Sequence, residues 1–174
     1  MIKFVYSCEE LEKQIKLPFD LIDIDTGSGR FILRFIAFDK GQNEYSVKQS
    51  GITGSFGIVY QSCGMQCEFP IDLTVGNLYL FEYQLDDAYD IMFGRNASAV
   101  LENYGTLNRS KFSVVFDKRG RCTAKGHFKN KNNGYTDGIS FSAELDQSCI
   151  PDMLGSMMRF FDKLRELQGH GYFY

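Results

Sequence analysis

Two histidines are the side chains in the sequence best suited to act as the base of a hydrolase triad, and each has a structural alternative. His127 falls at an outward position of a strand pattern, and His170 lies in a glycine-flanked tail. No Gly-x-Ser-x-Gly sequence supplies the nucleophile elbow of a hydrolase. The glycine-rich residues 51–57 lack the lysine of a phosphate-binding loop. We therefore expect neither a hydrolase triad nor a nucleotide site.

The most enzyme-like string is the tripeptide Asp25-Thr26-Gly27, which resembles the signature of aspartic proteases. That chemistry needs two carboxylates close enough to share a proton. The chain contains one such tripeptide, so catalysis through Asp25 would require a symmetric homodimer. Asp23 stands where those enzymes keep an apolar strand, and a plain turn accounts for Gly27. The protease stays as a minor alternative, and we expect no enzyme.

Metal ligation is not expected from the cysteines or from the acidic residues near residue 25. Cys63 and Cys67 are the closest cysteine pair, but a structural zinc site needs four ligands at tighter, paired spacings. A calcium loop that began at Asp23 would place Ser28 where glycine is required and Arg34 where glutamate is required. The sequence therefore predicts no metal and no other cofactor.

The composition is typical of one soluble domain. The 174 residues are 44% hydrophobic and 15% aromatic, with a formal charge of −3, which is the opposite of a disordered chain. The apolar runs fall far short of the ~20 residues of a membrane-spanning helix, and the first residues lack the pattern of a signal peptide. Five cysteines, an odd number, indicate free thiols in a reducing compartment. We expect a single domain over residues 1–174, located in the cytoplasm; the oligomeric state stays open.

Alternating apolar residues and two periodic segments predict an α+β fold. Short apolar runs over residues 30–73 indicate strands, with Pro70 marking an edge strand. The pattern of residues 111–128 predicts a hairpin. The pattern of residues 139–145 predicts a further strand. Two amphipathic helices are expected at about 75–92, where Thr74 is a plausible N-cap, and at 151–168. The predicted architecture is an antiparallel, sandwich-like sheet with two packed helices.

Charge is strongly segregated along the chain and defines two candidate binding surfaces. The first is an acidic ridge on the predicted helix 75–92, formed by Glu82, Asp86, Asp87 and Asp90. Such a ridge would suit a basic protein partner, because complementary charge raises the association rate and selects partners. The second is a basic hairpin over residues 109–131, with eight basic residues and one acid; its alternative patch is Lys118, Arg119, Arg121 and Lys125. Without outward aromatic residues for base stacking, nucleic acid is the secondary expectation.

Residues 69–167 resemble the bacterial immunity proteins associated with wall-associated polymorphic toxins. The match is carried by the turn Phe116-Asp-Lys-Arg-Gly120 and by Asp146-Gln147-Ser148 before the last helix. Those proteins are small cytoplasmic domains that bind and neutralise a cognate toxin domain, often a nuclease. The resemblance implies a protein that inhibits by stoichiometric binding, with a basic toxin domain as partner. It assigns no binding residue, and residues 1–66, which include Cys63, match less well.

Overall fold

The computed structural model describes residues 8–27, 29–39, 52–102, 110–132 and 135–168. These residues form an α+β fold of two antiparallel sheets and three helices. In chain order the elements are α1 (Cys8–Ile15), β1 (Phe19–Asp25), β2 (Gly29–Phe38), β3 (Thr53–Ser62), β4 (Met65–Thr74), α2 (Val75–Asp90), β5 (Ala97–Glu102), β6 (Lys111–Phe116), β7 (Cys122–Asn132), β8 (Tyr135–Leu145) and α3 (Cys149–Gln168). The predicted α+β class and both predicted helices are confirmed, whereas α1 has no counterpart in the sequence-based prediction.

Each sheet is a meander of four consecutive strands, and a helix follows each meander. The first sheet has the order β1-β2-β3-β4 and the second has the order β5-β6-β7-β8. Pro70 lies on β4, at the edge of the first sheet, where a missing backbone donor does least harm. The predicted hairpin is the β6–β7 pair, whose register closes with Phe116 opposite Cys122. The chain therefore builds the same four-strand-and-helix unit twice.

The two sheets face each other across a core rich in phenylalanine. Phe31 of β2 is fully buried, and its ring stacks 4.9 Å from the ring of Phe112 on β6. The same ring lies 5.7 Å from Phe128 and 5.2 Å from Phe141, measured between ring centroids. Pairs of aromatic rings at these distances add stabilisation beyond the burial of their area. Phe31 therefore joins its own sheet to three side chains of the other.

Helix α2 begins where the sequence predicts, because Thr74 caps it. The Thr74 side chain accepts a hydrogen bond from the Asn77 amide at 3.1 Å, and the Asn77 side chain accepts one from the Thr74 amide at 3.0 Å. This reciprocal pair satisfies two backbone donors that the first turn would otherwise leave free. The inner side of α2 buries Leu78, Phe81 and Leu85. The helix is thus fixed at its start and along its inner side.

Helix α2 follows the first sheet in the chain but covers β5, an edge strand of the second sheet. Helix α3 follows the second sheet but covers β1, an edge strand of the first. On α2, the Gln84 side chain accepts a hydrogen bond from the Val100 amide of β5 at 2.9 Å. On α3, the Ser156 hydroxyl donates to the Asp20 carbonyl of β1 at 2.8 Å, and Phe160 packs against Phe19. Free strand edges invite pairing with other chains, so both helices also protect the protein from aggregation.

The central position of Phe31 can be tested by truncation. We expect Phe31→Ala to lower the free energy of unfolding by about 3–5 kcal/mol, because it leaves a cavity between the sheets. Phe93→Ala is the matched control, since Phe93 is 68% exposed, and it should cost less than about 1 kcal/mol. Urea denaturation followed by circular dichroism measures both; equal losses would contradict a central role for Phe31.

Candidate protein-binding surface

The outward side of α2 carries a row of acidic side chains. Asp86, Asp87 and Asp90 are exposed, and the helix contains no lysine or arginine. Asp86 and Asp90 stand four residues apart, so their like charges repel weakly along the helix surface. The structure thus brings three of the four predicted acidic residues together on one solvent-facing side, where their negative charge is not offset within the helix.

Exposed apolar side chains lie among these acidic residues. The sequence pattern alone did not reveal that they are exposed. Leu80 is 55% exposed and Tyr83 is 65% exposed, both on the outward side of the same helix. Just beyond the helix, Ile91 and Phe93 are also exposed. These four are most of the large hydrophobic side chains that are exposed in the described ranges. Leu80 and Tyr83, three residues apart, are neighbours on the helix surface. Exposed apolar side chains rimmed by polar groups are typical of interaction surfaces. We call Leu80, Tyr83, Asp86, Asp87 and Asp90 the α2 face.

Glu82 differs from the other predicted acidic residues because it is only partly exposed. Burial raises the pKa of its carboxyl, the neighbouring charge of Asp86 raises it further, and Arg165 of α3 opposes both effects. Glu82 therefore lies toward the α3 side of the helix, beside the contact between the rings of Tyr79 and Phe161. It contributes to the junction of the two helices rather than to the outward α2 face.

The four residues of the predicted basic patch are spread over the β6–β7 turn and strand β7. Lys118 and Arg119 are exposed in the β6–β7 turn, while Lys125 lies on the outer side of β7. Arg121 is held by Asp117, whose carboxylate accepts from the Arg121 Nε at 2.7 Å and from the Arg119 and Arg121 amides. These bonds lower the pKa of Asp117. The turn thus uses part of its own positive charge to stabilise its conformation.

The end of α2 and the basic turn are adjacent. Phe93 forms a backbone bridge with Arg119, and the Gly94 amide donates to the Lys118 carbonyl at 3.1 Å. The Phe93 ring lies over Gly120, where a Cβ atom would come within 2.8 Å of it, and where φ is +79°. Glycine is therefore required at residue 120 both for space and for backbone conformation. Negative and positive surfaces meet around this exposed ring.

The Asp-Thr-Gly string forms a turn between β1 and β2. The Asp25 carboxylate accepts a hydrogen bond from the Gly27 amide at 2.8 Å, and the Thr26 amide donates to the Gly29 carbonyl at 2.7 Å. Asp23 is ion-paired with Arg30, with 2.7 Å between the Arg30 Nε and a carboxylate oxygen. An open depression of about 480 Å³ adjoins this turn. The Asp25 side chain is therefore already engaged in stabilising local structure.

The structure describes one of the two histidines. His127 is exposed on β7, as predicted, and its Nδ1 lies 2.7 Å from the Ser140 hydroxyl. His170 and the apolar tail 172–174 lie outside the described residues. Among the residues that the structure does describe, no three His, Cys, Asp or Glu side chains are grouped to hold a metal ion. No helix in those ranges is long and apolar enough to cross a membrane.

The cysteines divide into exposed and buried thiols. Cys63 and Cys67 are exposed at the β3–β4 hairpin. Cys122 is buried in the core, and burial raises the pKa of its thiol to about 12, with a smaller contribution from Cys149. A thiol with a raised pKa carries little of the reactive thiolate at neutral pH. The hairpin pair and the buried thiol should therefore differ in reactivity.

Comparison with protein-family models, curated proteins and solved structures found no match for this chain.

We expect a thiol reagent such as iodoacetamide to label Cys63 and Cys67 in the native protein and to leave Cys122 unmodified. In denaturant Cys122 should react as well, because burial is what suppresses its thiolate. Mass spectrometry of the peptides measures labelling at each cysteine separately, so the other cysteines do not affect the comparison. Native labelling of Cys122 at the rate of Cys63 would contradict this assignment.

The raised pKa of Glu82 makes part of the stability depend on pH. Folding disfavours its charged form, so the free energy of unfolding should rise as pH falls from the raised pKa toward the ordinary value of 4.5. We expect Glu82→Gln to lose this dependence and, by removing repulsion from Asp86, to gain about 0.2–0.5 kcal/mol at neutral pH. Thermal melts across pH measure the effect. Glu68→Gln, at an exposed carboxyl of β4, is the control and should keep the wild-type profile.

Proposed function

We propose that this protein is a stoichiometric binding protein of the toxin-immunity type, which neutralises a basic toxin domain in the cytoplasm by covering it with the α2 face. The observation that carries the proposal is the exposure of Leu80 and Tyr83 among Asp86, Asp87 and Asp90 on one helix. Inhibition of this kind needs no catalytic residue, because occupation of the toxin surface is enough to exclude its substrate.

The chemistry of the α2 face matches what strong protein contacts use. Binding energy at interfaces concentrates in a few aromatic and large apolar side chains, which are surrounded by polar groups that exclude water. Tyr83 supplies such an anchor, with a hydroxyl that can pair when the ring is covered. The carboxylates around it favour a partner that presents lysine or arginine.

The way in which the fold holds α2 in place also favours binding. Its start is fixed by Thr74 and Asn77, and its inner side is fixed by buried Leu78, Phe81 and Leu85. A surface that is already ordered loses little conformational entropy when a partner binds. The negative row would also attract a positively charged domain from a distance, which speeds association at low salt. Fast and tight capture is what neutralisation of a toxin inside its producing cell requires.

Co-expression with the polypeptide encoded directly upstream tests the proposal. We expect that polypeptide to arrest growth alone, and this protein to restore growth and to co-elute with it as a complex on size exclusion. Arrest that persists despite this protein, with no complex, would refute the proposal.

Substitutions on the α2 face should weaken that complex selectively. Tyr83→Ala should raise the Kd by about 30-fold or more, the loss of about 2 kcal/mol that defines an interface hot spot. The pair Asp86→Lys and Asp90→Lys should slow association and reduce its dependence on salt, measured by surface plasmon resonance. Glu68→Lys with Asp72→Lys makes the same change in charge at exposed positions of β4 and is the control. Equal effects of both pairs would exclude the α2 face as the contact.

A further inference from the structure

The outer side of the second sheet carries a second charged surface, separate from the α2 face. Lys125, His127 and Lys129 alternate outward along β7 and are exposed, while the residues between them face the core. Lys111 of the neighbouring strand β6 stands directly opposite His127. We call these four residues the cationic face.

Carboxylates lie near the cationic face, but in the described ranges none is within ion-pair distance of its lysines. Within the described ranges, Lys111, Lys125 and Lys129 take part in no ion pair, and the cross-strand neighbour Glu102 lies beyond ion-pair distance of Lys111. The outer side of the first sheet provides the contrast. There Arg34 is paired with Asp20 at 3.0 Å, and Arg30 is paired with Asp23. The outward arginines of the first sheet are thus paired with aspartates, whereas these three lysines of the second sheet are not in ion pairs.

Hydroxyl groups of β8 lie beside the cationic face. Ser142 stands opposite Lys125 on the neighbouring strand, and Ser140 stands opposite His127; both serines are exposed. The Ser140 hydroxyl lies 2.7 Å from the His127 Nδ1. Lysine ammonium groups and serine hydroxyls are common donors to phosphate oxygens in nucleic-acid complexes. The cationic face therefore offers both the charge and the neutral donors that such contacts use.

We propose that the cationic face binds the phosphate backbone of nucleic acid. Outward side chains along β7 repeat about every 6.7 Å, twice the rise of one strand residue. Lys125 and Lys129 therefore stand two such repeats apart, and Lys111 on β6, opposite His127, lies between them along the strand direction. Among the side chains that the structure describes on β6, β7 and β8, none is a large exposed hydrophobic one. That composition disfavours an acidic protein partner, which would need apolar anchors, and it disfavours base stacking. This binding depends on charge and is independent of the nucleotide sequence.

Salt dependence of binding tests the cationic face directly. Fluorescently labelled oligo(U) and oligo(dT) are titrated with the protein at increasing salt, and log Kobs is plotted against log[salt]. Each lysine–phosphate contact adds about −0.7 to the slope for a single strand. We expect the triple variant Lys111→Gln, Lys125→Gln and Lys129→Gln to make the slope shallower by about 2, and the corresponding triple Lys→Arg variant to retain it. The two probes should bind within a few-fold of each other, because they share their phosphates.

Three controls keep the interpretation specific. Lys118→Ala with Arg119→Ala removes two charges from the β6–β7 turn and should leave the slope close to that of the wild type. Tyr83→Ala, on the α2 face, should have no effect on binding of either probe. Circular dichroism confirms that each variant is folded. Absence of binding at low salt, an unchanged slope in the triple Gln variant, or equally tight binding of poly-glutamate would each overturn the proposal.

Discussion

The packing of Phe31 against three rings of the opposite sheet is the contact on which the arrangement of the surfaces depends. Phe31 stacks on Phe112, and Phe112 in turn meets Phe81 of α2 at a centroid distance of 5.7 Å. The same aromatic cluster therefore sets the separation of the sheets and the position of the helix that carries the α2 face. A change in the core would therefore displace the exposed α2 face as well, because densely packed interiors transmit displacement.

With the core fixed, each remaining surface has its own electrostatic character. The outer side of the first sheet pairs its arginines with aspartates, α2 exposes acids around apolar side chains, and β7 exposes lysines. The overall charge of −3 is thus a sum over surfaces that would attract different partners. Screening over about 8 Å at physiological salt lets neighbouring surfaces act separately on what approaches them. One small protein can therefore present faces of opposite charge.

Local sequence signals predicted the elements well, and long-range contacts account for what they missed. Thr74 was identifiable as a cap because its partner Asn77 is three residues away, and the β6–β7 hairpin because its turn is short. The split of the basic patch depends on Asp117 holding Arg121, which a count of charges does not show. The exposure of Tyr83 likewise depends on which side of α2 the second sheet covers. The acidic row was therefore predictable, whereas its apolar anchors required the assembled fold.

The covering of β1 by α3 ties the first strand of the protein to its last described helix. The Ser156 hydroxyl reaches a carbonyl 136 residues earlier in the chain. While the ribosome extends the chain, the first sheet can form long before α3 emerges, and its β1 edge then stays open to other strands. Contacts this distant in sequence also slow folding, because a large loop must close first. The interval between synthesis of β1 and of α3 is thus the period in which the β1 edge is most open to pairing with other chains.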